Sequence, residues 1–519
     1  MSLKSFRPQG YTGKGDSHLA KIHSDLKNLL KKTQKAQHLK TLDLPAKAQD
    51  QVAGALVELA EDLHNDIGIW RSYEQYNVEW FGTPLPLTLG PGEVVDAREL
   101  LRRRIHHFIW VLFPEFDPDL ILSPTHDELD VVSEPITDFF IERFADVPQD
   151  SGIKKFLCEP NTYGWEVKKK LVWLGIYSYL FRYFFGNYLE DHGGQPDIAT
   201  MDDFICQETT AWSGLGPIDI LAALLDITPA QRHDLRHWYE RHLAFFRIQA
   251  INLGDESMEV VNLINDRPYQ VKVGDQITQF KPKMYLKGSL VPWDGVWYWS
   301  GEQSGYPNLS QENLRQIKQT FATRMSSIAY RYCDNLAQEA REMAKAQYDE
   351  FLKYHGSDLV LYPDGLAFAE DYDKQIRAWN ESRPQEASSK PDAESSSANG
   401  SMPQEVLDHF LEMEHGVAVY FNPEEGQEMM PEFNDAIRGL EKKGVNLTYD
   451  EADSLRGFIF SDVISPAFVR RVVQKYGAES IAAAFFIEET QDDLFLEYLL
   501  RRYKGHFYRK RYPAIAIIS

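Results

Sequence analysis

Asp294-Gly295 is the point at which this chain has the least freedom in how it folds. It separates two apolar, aromatic runs, Met284 to Trp293 and Val296 to Trp299. Asp-Gly between such runs is the strongest short-range hairpin signal, because Gly enters the left-handed region at no steric cost. Upstream, Met258 to Ile264 reads as a strand, Asn265-Asp266-Arg267-Pro268 as a turn and Tyr269 to Val273 as the returning strand. Four or five short strands between Ser257 and Glu302 predict a small barrel or a strongly curled sheet. Both faces of the hairpin are apolar, so flanking helices are expected to cover the face that the module does not.

Most of the remaining chain carries helical periodicity. Leu19, Ile22, Leu26, Leu29 and Leu30 share one face, as do Val52, Leu56, Leu59, Leu63 and Ile67. Further helices are expected near residues 94–113, 229–253 and 309–355, with a small hairpin after Leu359. Leu171 to Leu189 is the most apolar long stretch, but its uninterrupted part, Leu171 to Phe181, is too short to span a bilayer and predicts a core helix. Ser382 to Met402 has no core-forming residues and cannot offset its ordering entropy by burial, which predicts a flexible tether. The expected fold class is mainly α with a small β module. A multi-helical domain over 1–381 carries the module at 257–302, a linker spans 382–403, and a separate helical α+β domain fills 404–519.

Charge and cysteine usage narrow the chemistry. A net charge of −23 argues against a general polyanion binder, since phosphate contacts need a basic face. Cys158, Cys206 and Cys333 lie far apart with no Cys-x-x-Cys pair, which speaks against a disulfide framework or a thiolate zinc site and for a reducing cytoplasm. The first residues are polar and Gly-rich, without the apolar core of a secretory leader.

Three patterns invite a metal reading, and each is incomplete. Glu61-Asp62-Leu63-His64 has the Glu-x-x-His spacing of a carboxylate-bridged di-iron site, but its second copy, Glu412-Met413-Glu414-His415, lies beyond the tether and two further Glu ligands are missing. His106 and His107 are neighbours and point about 100° apart on a helix. His233 and His237 have the i, i+4 spacing but lack the intervening Glu of a zinc protease and sit among Arg232, Arg236 and Arg241. No metal or cofactor is expected.

Two sets of residues are candidate contact sites. Arg501, Arg502, Lys504, Arg509, Lys510 and Arg511 interleave with Tyr and Phe, the pattern of a polyanion contact in which bases stack while cations track phosphates. The competing reading, a basic helix end docked on an acidic protein, is favoured by the net charge. Trp293, Trp297 and Trp299 are the candidate aromatic contacts.

Residues of about 16–372 resemble an uncharacterised bacterial protein family, through Asp16-Ser17-His18-Leu19-Ala20-Lys21-Ile22, Leu59-Ala60-Glu61-Asp62 with Gly68-Ile69-Trp70, Phe81-Gly82, Pro84-Leu85-Pro86, and Leu290-Val291-Pro292 with Asp294-Gly295-Val296-Trp297-Tyr298. That family has no assigned activity, so the resemblance implies no catalytic residue. The leading expectation is a cytoplasmic interaction or regulatory protein with a protein partner and no chemistry of its own. The alternatives are a metal-dependent hydrolase drawing on Asp, Glu and His of the N-terminal domain, and a nucleic-acid binder using the C-terminal basic-aromatic end.

Overall fold

A computed structural model describes residues 3–117, 120–241, 243–324, 334–382, 408, 411, 413–488 and 494–509. The protein is mainly helical, with one closed five-stranded barrel and one three-stranded sheet among the described residues. It divides into two compact units, one of residues 1–321 and 491–506, the other of 322–490 and 507–519.

In the first unit amphipathic helices pack their apolar stripes into one core. Helix Asp16–Gln37 buries Leu19, Ile22 and Leu26, and helix Ala46–Asn65 buries Val52, Leu56 and Leu59. Other helices of the unit start with the usual chemistry of orphan amides. The Asp96 carboxylate accepts the Glu99 N–H at 2.9 Å, and Thr228 and Gln231 form a reciprocal capping box ahead of Pro229. The centre of the core is aromatic: Trp70 meets Trp212 edge-on at 5.7 Å, and Phe108 stacks on Trp212 at 5.4 Å.

The barrel strands are β1 (Leu243–Asn252), β2 (Ser257–Asn262), β3 (Pro268–Lys272), β4 (Tyr285–Trp293) and β5 (Val296–Tyr306). They close in the order β1-β2-β3-β5-β4, with β3 and β5 parallel and every other neighbouring pair antiparallel. A 3-10 turn, Gly274–Gln279, lies between β3 and β4. This connectivity is that of an OB-type barrel. Asp294 (φ 52°) and Gly295 (φ 81°) make the tight turn that their sequence predicts. Val291, Trp293 and Tyr298 on the outer face of the hairpin join the helical core, so both hairpin faces are covered.

Three boundaries differ from expectation. The helix expected over 229–253 ends at Arg236, passes through a 3-10 turn His237–Glu240 and gives way to β1. Along β1, Phe246 and Ile248 are buried while Arg247 and Gln249 are exposed, a period of two. The module therefore spans 243–306, not 257–302. Helix Leu494–Lys504, expected in a C-terminal domain, belongs to the first unit: Tyr498 stacks on Trp110 at 5.5 Å and meets Phe81 edge-on at 5.7 Å.

The third difference concerns the second unit. There β6 (Leu359–Tyr362), β7 (Val417–Asn422) and β8 (Gly426–Pro431) form an antiparallel sheet in chain order. Phe351, Phe368, Met413, Val417, Val419 and Phe421 form its core. β6 makes no local hairpin; helix Gly365–Ser382 follows it, and its partner is β7. Segments on either side of the expected tether thus share one sheet, and the units divide elsewhere than at 381 and 404. Of the tether only Ser382 lies among the described residues.

Candidate ligand-binding cleft

Helix Gly164–Tyr177 lies across the barrel and leaves a cleft of about 730 Å³ against the end of β3, the 3-10 turn and β5. Its first residue has to be small. A Cβ on Gly164 would stand 2.7 Å from the Tyr298 ring, so the helix start rests directly on that ring. Trp165 meets Tyr298 edge-on at 5.4 Å and stacks on Tyr163 at 4.6 Å, while remaining 42% exposed. Trp299 completes this wall, and its buried indole N–H has no hydrogen-bond partner in the protein.

Three lysines line the same cleft: Lys168, Lys169 and Lys272. Lys169 lies over Tyr11 and Phe156, at 5.7 and 5.5 Å from the ring centres, and Lys272 donates to the Asp255 carbonyl at 2.6 Å. Glu256 and Asp275 set two carboxylates against the three lysines of this lining, on a protein whose net charge is −23.

Lys168 is anchored from behind by a buried polar cluster. It forms an ion pair with Asp202, and its Nζ lies 2.8 Å from Ser300 Oγ and 3.3 Å from Cys206 Sγ. Asp202 also takes the Ser300 hydroxyl at 2.9 Å and Arg241 at 2.9 Å. Burial pushes the Cys206 thiol up to about 11, so at neutral pH it is an inert thiol. An ammonium paired with a carboxylate has no lone pair with which to take the Ser300 proton, so the trio is a brace between two helices and β5 rather than a Ser–Lys nucleophile. Gly301 (φ 70°) completes the brace, because a Cβ there would stand 2.6 Å from Asp202 Oδ2.

The structure redistributes the residues singled out from sequence. Arg501, Arg502 and Lys504 are buried and cannot serve as a polyanion contact. The apolar side of their helix docks into the core and carries the cations with it. Arg501 lies 3.6 Å from the centre of the Trp80 ring and donates to Glu497 at 2.7 Å and to the Tyr76 hydroxyl at 3.0 Å; Arg502 sits over Trp110. Arg509 is half-buried, and Lys510 and Arg511 lie outside the described residues. Trp293 is core, fully buried with its N–H on the Asn161 carbonyl at 3.0 Å, and so is no contact residue. Trp297 packs edge-on to Tyr269 at 4.9 Å. Trp299 alone of the three lines the cleft.

The metal patterns resolve into ordinary partners. Glu61 pairs with Arg7 at 2.6 Å and accepts from Ser151 at 2.8 Å, while His64 bonds the Val147 carbonyl at 2.9 Å. His106 bonds Asp130 at 2.9 Å and His107 bonds Tyr73 at 2.7 Å, in different directions as their spacing requires. The His233 and His237 rings contact each other at 4.1 Å. Among the described residues no three His, Cys, Asp or Glu side chains are grouped to hold a metal, and no helix is long and apolar enough to cross a membrane.

The sequence reading missed Trp165, Lys168, Lys169 and Lys272. The run Tyr163-Gly164-Trp165-Glu166-Val167-Lys168-Lys169 carries a signal, aromatics and cations alternating just ahead of an apolar helix. Among known protein families, curated proteins and solved structures, none matches this chain.

Proposed function

We propose that this is a recognition protein without chemistry of its own, and that its barrel cleft takes an anionic ligand bearing a flat ring, the chemistry of a nucleotide. The observation that carries the reading is the pairing of a half-exposed indole, Trp165, with Lys168, Lys169 and Lys272 in one cleft. Aromatic faces stack bases without regard to sequence, and ammonium groups meet phosphate as point charges. The brace around Asp202 supports it by holding Lys168 in place before any ligand arrives. The OB-type connectivity is an analogy of fold only; the side chains of the cleft are what would recognise such a ligand. The unpaired thiols of Cys158 and Cys206 support a reducing, cytoplasmic setting.

The nucleotide could be free or part of a single strand, and one titration separates the two. Tryptophan fluorescence is followed while AMP, ATP or a short oligodeoxythymidylate is added at low salt. Saturable quenching is expected with at least one, and Trp165→Ala should weaken it by about 10-fold, as loss of a stacking platform worth ~1–3 kcal/mol implies. Preference for ATP over the oligomer assigns a free nucleotide, and the reverse a strand. Absence of quenching by all three removes the reading.

A further inference from the structure

A second surface of the barrel lies apart from the cleft. The segment Lys281-Pro282-Lys283-Met284-Tyr285-Leu286-Lys287 runs through a turn into β4. Tyr285 stands opposite Arg247 of β1 on one side and Tyr306 of β5 on the other, and Lys287 stands opposite Ser304. Residues directly opposed in a ladder project to the same side, and so do residues two apart along a strand. That side is outward. Arg247 is exposed and Tyr285, Lys287 and Tyr306 are half-buried, while Phe246, Ile248 and Leu286, which alternate with them, are buried. Lys281 and Lys283 are exposed in the turn, and the Lys283 N–H donates to the Ile248 carbonyl at 2.9 Å, which holds the turn beside Arg247.

Four cations therefore gather around two phenol rings, and none of the four charged groups has an ion-pair or hydrogen-bond partner among the described residues. Scarcity of carboxylates does not explain this. The chain has 78 Asp and Glu against 55 Lys and Arg, and Arg98, Arg102 and Arg241 of the same unit are all paired. The rows of the ladder from Phe245 to Arg247 hold no acid. The flanking ones are Glu259, opposite Ala250, and Glu302, in the part of β5 where the register with β4 shifts.

We infer that this face of β1, β4 and β5 binds a single-stranded nucleic acid, its phosphates meeting Arg247, Lys281, Lys283 and Lys287 and its bases stacking on Tyr285 and Tyr306. Unpaired cations in an acid-free patch suit any polyanion. Two outward rings set opposite each other among them suit one that carries flat bases beside its charges. A duplex keeps its base faces inside the stack and offers such rings nothing. The net charge of −23 opposes a polyanion at long range, but at ~0.1 M salt that field is screened beyond ~10 Å, and contacts at the face are closer than that. The face shares no residue with the cleft, so the inference stands whether or not the cleft takes a nucleotide.

The test is fluorescence anisotropy of a labelled oligodeoxythymidylate of about 12 nucleotides, within the site sizes of small barrels, titrated with the full chain. Saturable binding is expected, and four phosphate contacts on a single strand give a log–log salt slope of about −3. The triple variant Arg247→Gln/Lys281→Gln/Lys283→Gln changes only exposed side chains, so it should keep the wild-type melting temperature while the slope shrinks to about −1. Tyr285→Leu should weaken the oligonucleotide by about 10-fold, as loss of one stacking platform implies, and leave inorganic polyphosphate unaffected. No saturable binding by the wild-type chain overturns the inference. So does a triple variant with wild-type affinity and slope, or polyphosphate or vesicles of anionic lipid binding as tightly as the oligonucleotide. Binding lost in Trp165→Ala but kept in the triple variant places the strand in the cleft, which overturns this inference and leaves the nucleotide reading in place. Binding that Trp165→Ala spares and the triple variant loses supports the face, even where AMP and ATP quench no tryptophan.

Discussion

His107 lies fully buried between the Tyr73 hydroxyl at 2.7 Å and the Thr88 hydroxyl at 2.9 Å. Burial first, then the charges of His106 and Arg502, hold its imidazole well below the usual value of 6.5. As pH falls through 6.5 the unfolded chain takes up a proton that the native ring refuses, so this group removes stability on acidification, about 1.4 kcal/mol per pH unit. Glu115 acts in the opposite sense. Its carboxyl is near 7 in the native state against 4.5 unfolded, so between those values the native protein holds a proton that the unfolded chain has lost. Its contribution is full below 4.5 and disappears as pH rises through 7. The two slopes oppose each other between 4.5 and 6.5. Urea denaturation over that window should show Glu115→Gln losing stability on acidification relative to wild type, and His107→Gln gaining it. Identical slopes in all three proteins would show that neither group is placed as described.

Helix Leu494–Lys504 raises the corresponding question for an element. Its Tyr498 fills the space between Trp110 and Phe81, and its C-terminal end passes so close to Gly214 (φ 73°) that a Cβ there would overlap the Arg501 carbonyl. The helix is thus structural cement for a unit whose other residues end at 321. Tyr498→Ala should cost about 3–5 kcal/mol in urea denaturation, the range for removing a buried aromatic. A loss below ~1 kcal/mol would mark the helix as peripheral. Its composition, dense in Arg and Lys, points in sequence to a solvated or polyanion-facing surface. Nothing local reveals that Trp80 and Trp110 present ring faces to two of those cations. The hairpin at Asp294-Gly295 was legible because turn chemistry is local. β1 was not, because Pro229 and the capping box after Thr228 announce a helix and no comparable signal marks its end at Arg236. The cleft was legible only in Trp299, since its lysines come from a helix and from β3, which the chain order separates by about a hundred residues.

At the scale of the whole molecule, the order of the chain and the order of the fold disagree. Residues 322–490 of the second unit interrupt the first, whose last helix follows them in sequence. Within the second unit the sheet joins residues 359–362 to 417–422 through four paired positions, and Phe351 and Phe368 share a core with Val417, Val419 and Phe421. The Ser- and Pro-rich run between them, 382–403, is the natural first site of proteolysis on composition. Had that run joined independent domains, a cut would release them. Because the sheet crosses it, the two products of limited proteolysis should co-elute on size exclusion in native buffer and separate only in denaturant. The edge strand β6 has only four residues, so within the second unit the association rests on the shared aromatic core rather than on ladder hydrogen bonds, and helix Leu494–Lys504 adds a second tie through the first unit. Phe421→Ala, which removes the ring packed against Phe351 at 5.3 Å, combined with Tyr498→Ala, which removes the ring between Trp110 and Phe81, should then let the cleaved fragments part without denaturant. Fragments of the wild-type chain that separate in native buffer would mean that neither the sheet nor helix Leu494–Lys504 holds once the covalent link is gone.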